Sequence, residues 1–408
     1  KVTEILDDMF VVNMAMQSMD EQVLKNVERS NIKIDQMIEV NNNLRNKGRA
    51  THVELILPLP GETKESFIKG LNSILNSNAS QICIYTLMML YGTKFKDPKY
   101  RNQFDYKVKY RIVPLNFGEY ENQIVFDYEE AGVATKDLSF EDYIFLRALA
   151  LLVESLHNGK PFNEFFQYAK LFNIQPATMI KILYDNISSA TNKIRTIMND
   201  FIKETKNELW SSEKELIDYY RKDENYLKLK NGEVGGNLIY KYKSKNIIEA
   251  SADWIDFFEK QILKAVKQKF QKADSIKIAK SEICEISEFC RLKIDGLLNI
   301  NADIGFIESD FQYDILKWID DGAIKGLHEY ENSIDGKKLY FHLTSNQIKM
   351  RNDAFKRYGT DINALSKIVT RISSLESHYR KVRYGNETYL RDIYKKAGDQ
   401  FVRYALSG

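Results

Sequence analysis

The chain is poor in residues that staple, punctuate or ligate. It has 3 cysteines, Cys83, Cys284 and Cys290, among 408 residues. That is too few for a disulfide framework and favours a reducing compartment, so a cytoplasmic location is expected. Its 6 prolines mark out no Pro/Gly/Ser-rich linker. The 5 histidines, His52, His157, His328, His342 and His378, show no metal-ligand spacing. A Walker loop and a G-x-S-x-G elbow are both missing. Neither sign of charge dominates: Lys+Arg 59 against Asp+Glu 57 leaves +2. This balance gives no electrostatic case for a dedicated nucleic-acid or membrane-surface protein. The short basic patches at 241–245 and 380–383 read as solvated faces. No apolar run is long enough to span a bilayer. The best stretch, 143–156, is interrupted by Arg147 and Glu154 and reads as a buried helix of a soluble protein. The opening residues lack the basic, apolar, small-residue pattern of a signal peptide.

What is present is ample for a core: 44% of the residues are hydrophobic. Residues 10–16, 52–57 and 81–88 read as strands. Residues 21–29, 36–47 and 64–76 read as helices between and around them. This βα rhythm implies a parallel sheet or barrel. Residues 109–113 and 123–134 read as strands flanking a loop with Pro114, Asn116 and Gly118. Helices then dominate. Ser139 with Asp142 resembles a capping box and opens a helix over 141–156. Further helices are expected at 162–172, 176–206, 212–221 and 252–272. The run 176–206 is long enough to hide a break. Residues 311–319 read as a helix, and 327–331 with 338–343 as a hairpin around Ile334-Asp335-Gly336. A helix before a hairpin can belong to a winged helix, but no basic stripe accompanies it, which favours structural packing.

In parallel α/β architectures, sites form at the carboxyl ends of the strands. Three unusual stretches fall there: Gln17-Ser18, Pro60-Gly61-Glu62-Thr63 and Tyr91-Gly92-Thr93. Period-two alternation puts Asn13, Ala15 and Gln17 on one strand face and Met14 and Met16 on the other. It likewise sets Glu54 and Ile56 against Leu55 and Leu57. Asn13, Gln17 and Glu54 need hydrogen-bond partners, which either a ligand-filled lumen or solvent on an open sheet supplies. Ser18-x-x-Glu21 also reads as a plain capping box. Gly61 suits a tight turn before a helix N-terminus, whose free N–H groups favour anionic or polar ligand atoms.

The run Met16-Gln17-Ser18-Met19-Asp20-Glu21-Gln22-Val23-Leu24, continuing to Glu28-Arg29-Ser30-Asn31, resembles the fourth strand and following helix of the radical S-adenosylmethionine (SAM) barrel. Glu54-Leu55-Ile56-Leu57-Pro58-Leu59-Pro60-Gly61-Glu62-Thr63 resembles its fifth strand and loop. Ile84-Tyr85 through Leu90-Tyr91-Gly92-Thr93 resembles its sixth. The resemblance covers roughly residues 1–100. Lys109-Tyr110-Arg111 and Glu141-Asp142-Tyr143 to Arg147 are similar, more loosely, to the tail of radical SAM proteins that carry a cobalamin-binding domain. In that family an iron–sulfur cluster cleaves SAM reductively to methionine and a 5′-deoxyadenosyl radical. The resemblance implies that Gln17 and Ser18 contact the ribose or methionyl part of SAM. It implies that Arg29 pairs with the SAM carboxylate, although a solvated helix charge explains Arg29 nearly as well. The backbone of Ile56, Leu57 and Pro58, and of Leu87 and Met88, would pack on adenine, and Glu54 would face the lumen.

Two departures stand out. The family's Cys-x-x-x-Cys-x-x-Cys is absent, and three scattered cysteines cannot replace it. Pro58 stands where the family often has glycine and removes an N–H donor. The expected fold is therefore a partial (β/α) barrel, a half-barrel of parallel strands, followed by a mainly α-helical region with small β elements. The expected parts are 1–105 for the half-barrel, 106–208 for an α+β extension with helical hairpins, and 209–408 for a mainly helical domain with a small hairpin. The expected function is that of a fragment of a radical SAM enzyme, inert alone, whose cluster ligands lie upstream of Lys1. Cobalamin and methyl transfer belong to the same expectation, as does a reductant such as flavodoxin or ferredoxin. The competing expectation is a non-catalytic binding or interaction protein on a degenerate radical SAM scaffold.

Overall fold

The computed structural model describes residues 12–47, 50–77, 79–270, 272–294, 305–331, 338–360, 365, 368–369 and 375–385. The chain forms two compact units. One comprises Lys1–Asn158, Pro176–Ser188 and Asn192–Lys243; the other comprises Gly159–Gln175, Ser189–Thr191 and Ser244–Gly408.

The first unit opens with three parallel strands in the order β1 (Val12–Gln17), β2 (Thr51–Leu57) and β3 (Gln81–Thr86). Helices α1 (Glu21–Asn26), α2 (Ile34–Asn46) and α3 (Lys64–Leu75) connect them. Helix α3 starts because Thr63 and Ser66 exchange side-chain-to-backbone bonds in a capping box. Its Phe67, Leu71, Ile74 and Leu75 are buried on one face. In the sheet, Met14, Met16, Val53, Leu55, Leu57, Ile82 and Ile84 are buried. The opposite face, with Asn13, Ala15, Glu54, Ile56, Cys83 and Tyr85, is half-buried or exposed. Parallel sheets are ordinarily covered on both faces; this one is fully covered on one. No closed barrel is formed among the described residues, so the expected half-barrel is seen as a three-stranded parallel sheet and no more.

Helix α4 (Pro98–Phe104) starts with proline in its first turn and Asp97 as cap. It leads into an antiparallel hairpin, β4 (Lys107–Tyr120) and β5 (Gln123–Ala134). The expected strand at 109–113 is thus longer, and the loop around Pro114 is a lapse in pairing between Ile112 and Phe117. Leu115 sits there at φ 63, 74% exposed, donating its N–H to Gly235 O at 3.0 Å. Glu121 and Asn122 turn the hairpin with φ of 51 and 59, the left-handed pair that matches strand twist. The buried end of β5 joins the chain after β3. Met89 N–H bonds Glu130 O at 2.8 Å and Gly132 N–H bonds Leu87 O at 2.9 Å.

Ser139 caps α5 (Phe140–Leu152), as its spacing to Asp142 predicted, by accepting the Asp142 N–H at 3.1 Å. The helix then widens into a π turn, Val153–His157, closed by Asn158 N–H to Val153 O at 2.9 Å. This aims Asn158 at the free edge of β3. Its carboxamide accepts the Ile82 N–H at 3.1 Å and donates to Ile82 O at 2.9 Å, standing in for a fourth strand. The long helical run breaks as its length suggested, into α7 (Pro176–Asp185) and α8 (Asn192–Asn207), with α6 (Asn163–Lys170) before them. Helices α9 (Glu213–Tyr220) and α10 (Asp223–Lys230) pack Leu216, Tyr220, Tyr226 and Leu229 against Ile112 of β4.

In the second unit α6 packs on α12 (Ser251–Lys269), itself preceded by α11 (Leu238–Ile248). Phe258 meets the rings of Phe162, Phe165 and Phe166 at 5.5, 5.1 and 5.4 Å. Helix α13 (Ala273–Ile294) lies along α12, and its half-buried Lys293 pairs with the buried Glu164 of α6 at 2.6 Å. The remainder is β6 (Ile307–Ser309), α14 (Ile315–Asp320), β7 (Leu339–His342), α15 (Ser345–Tyr358) and β8 (Lys381–Tyr384). Strand β7 pairs antiparallel with β6 and β8, not with 327–331. The expected strand there is instead a 3-10 turn, Leu327–Glu329. The reason is a distant side chain: Glu282 of α13 accepts both the His328 N–H at 2.9 Å and its ring Nδ1–H at 2.8 Å, which curls the segment. The expected turn at Ile334-Asp335-Gly336 lies outside the described residues. Among the described residues no helix is long and apolar enough to cross a membrane.

Candidate functional site

The three motif stretches do lie at one end of the sheet, after β1, β2 and β3. The first of them breaks the strand pattern. Ala15 is level with Glu54 but Gln17 with Leu55, so one residue is bulged out at Met16. Gln17 takes φ 64 and is 7% exposed. It therefore does not share the open face with Asn13 and Ala15, as alternation predicted; the bulge turns it inward. Its carboxamide makes no hydrogen bond among the described residues. A carboxamide unpaired among the described residues offers a donor and an acceptor to a polar ligand atom.

Ser18 follows, 3% exposed. It is not the helix cap that the sequence suggested. Asp20 caps α1, accepting the N–H groups of Gln22 and Val23, because it stands directly before the first helical residue. The Ser18 hydroxyl instead donates to Glu62 Oε2 at 2.5 Å and accepts the Asp20 N–H at 3.1 Å. Its carbonyl accepts Asn31 Nδ2 at 2.7 Å. Arg29 lies not on the helix but in the loop after it, exposed, its N–H bonded to Leu24 O at 2.9 Å. The Asn31 bond brings that loop to the Gln17-Ser18 turn.

Glu62 precedes α3 and is fully buried. It accepts the hydroxyls of Ser18 and Ser66. Burial pushes its carboxyl above the usual range; the two hydroxyls oppose the shift and Asp20 adds to it. Gly61 has φ +88, and a Cβ there would come within 2.6 Å of Asn26 Nδ2. That atom donates to Pro60 O at 2.8 Å, so glycine is what lets the end of α1 and the loop after β2 touch.

Under these loops lies an apolar floor of Val23, Leu59, Leu87 and Met89, with Ile56 packed against it. The carbonyls of Leu57 and Leu87 bond Leu87 N–H and Gly132 N–H at 2.7 and 2.9 Å. Pro58 O accepts the Tyr106 hydroxyl at 3.2 Å. Glu54 stands on the open face, level with Ala15 and Cys83, and Ile56 is level with Tyr85. Beside the floor, Glu130 accepts two bonds from Arg101, at 2.9 and 2.8 Å, and one from Lys96. Burial alone would raise this carboxyl, but the two cations hold it below the usual range. The anchoring role of Glu62 went unread although its motif was singled out, because its partners are 44 and 4 residues away. Glu130 carried no signal at all, being one acidic residue of an alternating strand.

The cysteines do not supply a cluster site. Cys83 is half-buried on β3 with its thiol pushed up to about 11 by burial. Cys284 is exposed, and Cys290 is buried against Glu164 Oε2 at 3.2 Å. Among the described residues no group of three or more His, Cys, Asp or Glu side chains could hold a metal ion.

No protein-family profile matches the chain. It is similar to the cobalamin-dependent radical SAM methyltransferase TokK of Streptomyces tokunonensis, at 29% identity over 150 residues. Those residues are 36% of this chain and 21% of that protein, so the chain spans about a fifth of the relative it matches. The likeness is distant, and it is to a radical SAM protein.

Proposed function

We propose that this chain forms part of a radical SAM-type enzyme and that its share of the work is to bind and orient SAM at the carboxyl ends of β1, β2 and β3. The observation that carries the reading is the Gln17 turn. A bulge turns Gln17 inward, with its carboxamide unpaired among the described residues, at the place where the motif resemblance puts a contact to SAM. The distant likeness to TokK supports the same reading. Gln17 would donate to or accept from the ribose or methionyl part, and Arg29 would supply a cation for the carboxylate. The floor around Ile56 and Leu87 would lie under adenine, with Glu54 on the open face toward the reacting end. Reductive cleavage needs an iron–sulfur cluster, for which the described residues offer no thiolate set. No step through a cluster is assigned to this chain. Methyl transfer on cobalamin, and a flavodoxin or ferredoxin as reductant, are proposed only for the assembly that brings the cluster.

Calorimetric titration of the chain with SAM and with S-adenosylhomocysteine tests the reading. Saturable binding is expected. Gln17→Ala and Arg29→Ala should each weaken it about tenfold, roughly 1.4 kcal/mol. Absence of binding, or unchanged affinity in both variants, would favour an interaction protein on the same scaffold.

A further inference from the structure

Glu62 is a carboxylate in an awkward place. It is fully buried, and no cation pairs with it among the described residues. Among the described residues its side chain is bonded by two hydroxyls, and the charge of Asp20 acts on it with the same sign. Such a group destabilises a fold unless its geometry serves something else. What it does is join loops. One oxygen holds Ser18 in the turn after β1, and the other holds Ser66 in the first turn of α3. Ser18 passes the constraint on, since its carbonyl fixes Asn31, two residues beyond Arg29. A single relay, Ser66–Glu62–Ser18–Asn31, thereby runs through all three segments.

We infer that Glu62 is a positioning residue for the proposed SAM site: it fixes the Gln17-Ser18 turn and, through Ser18, the loop that carries Arg29. This rests on the reading given above. It also reassigns Ser18. A hydroxyl whose proton is committed to Glu62 cannot donate it to SAM, so Ser18 acts by holding backbone.

The test is SAM affinity of the full chain carrying Glu62→Ala, Glu62→Gln, Ser18→Ala and the Glu62→Ala/Ser18→Ala pair. Glu62→Ala and Ser18→Ala should each lose about tenfold, and the pair should lose no more than either alone, because both cut one relay. Glu62→Gln keeps an acceptor for Ser18 and should hold affinity within about threefold. It should also abolish the part of the wild-type pH profile of binding that reports Glu62; Asp20 is the other titratable group facing it. Loss of binding in Glu62→Gln as deep as in Glu62→Ala would point to charge on the ligand and overturn the positioning role. Should Glu62→Ala fail to fold, Ser18→Ala and Glu62→Gln still decide the matter. Unchanged affinity in Ser18→Ala, with Gln17→Ala weakened, overturns the relay and leaves the SAM site standing. No binding by the wild type overturns the site and the relay together.

Discussion

At the scale of single residues, burial changes what a side chain is for. Gln17 was singled out by its motif but was not legible as an inward residue, since alternation holds only while the strand keeps its register, and a bulge has no signature in Ala15-Met16-Gln17. Lys293 reads in the sequence as an ordinary helical charge. In the fold its side chain is only 11% exposed, and its partner Glu164 lies on a helix 129 residues away. Glu62 shows the energetic side of the same point. Its folded carboxyl binds a proton more tightly than the unfolded one, whose reference value is 4.5. As pH rises past that value the unfolded chain releases its proton first, so the fold loses stability until Glu62 also ionises. Glu62→Gln removes this loss. The gap in denaturation midpoint between Glu62→Gln and wild type should therefore widen as pH rises above 4.5. A gap that stays constant, or narrows, would show that burial does not strain this carboxylate.

At the scale of elements, the parallel strands and most helices could be read because their apolar spacing is regular, as in Phe67, Leu71 and Ile74 of α3. The segment 327–331 could not, because a side chain from a distant helix decides its shape. The β4–β5 hairpin lay between these cases. Its pairing was visible but its continuation past Pro114 was not, since the lapse is held by Leu115 and Gly235, 120 residues apart in sequence. Leu115 holds a left-handed conformation that costs a residue with a Cβ about 1–2 kcal/mol. Its side chain is largely exposed and gives little packing in return. Leu115→Gly keeps the N–H bond to Gly235 and should raise stability by about 1 kcal/mol in urea denaturation. A lower midpoint would mean that the leucine side chain, not the backbone, holds the lapse in place.

At the scale of the whole molecule, the chain enters the second unit three times, at Gly159–Gln175, Ser189–Thr191 and Ser244–Gly408. No linker composition announced this, because segments that complete another unit's core look like any amphipathic helix. The fragment 244–408 alone lacks Phe162, Phe165 and Phe166, which surround Phe258, and lacks Glu164, which neutralises Lys293, a side chain only 11% exposed. Removing one partner of a buried pair costs about 3–5 kcal/mol, before the lost aromatic contacts are counted. That fragment should show no cooperative thermal transition by circular dichroism, and a peptide of residues 159–175 added in trans should restore one. A cooperative transition in the fragment without peptide would show that α6 is dispensable. The edge of β3 has a lifetime of a different kind. Asn158 is followed by Gly159, the neighbour that least hinders attack on an asparagine side chain, so an unfolded chain deamidates readily there. In the fold the same amide is immobilised on Ile82. Once converted to aspartate it could still accept from the Ile82 N–H, but it would face the Ile82 carbonyl and Glu154 with negative charge where it now donates to both. The sheet edge thus carries a clock that runs only while the edge is open, and each tick makes reclosing harder.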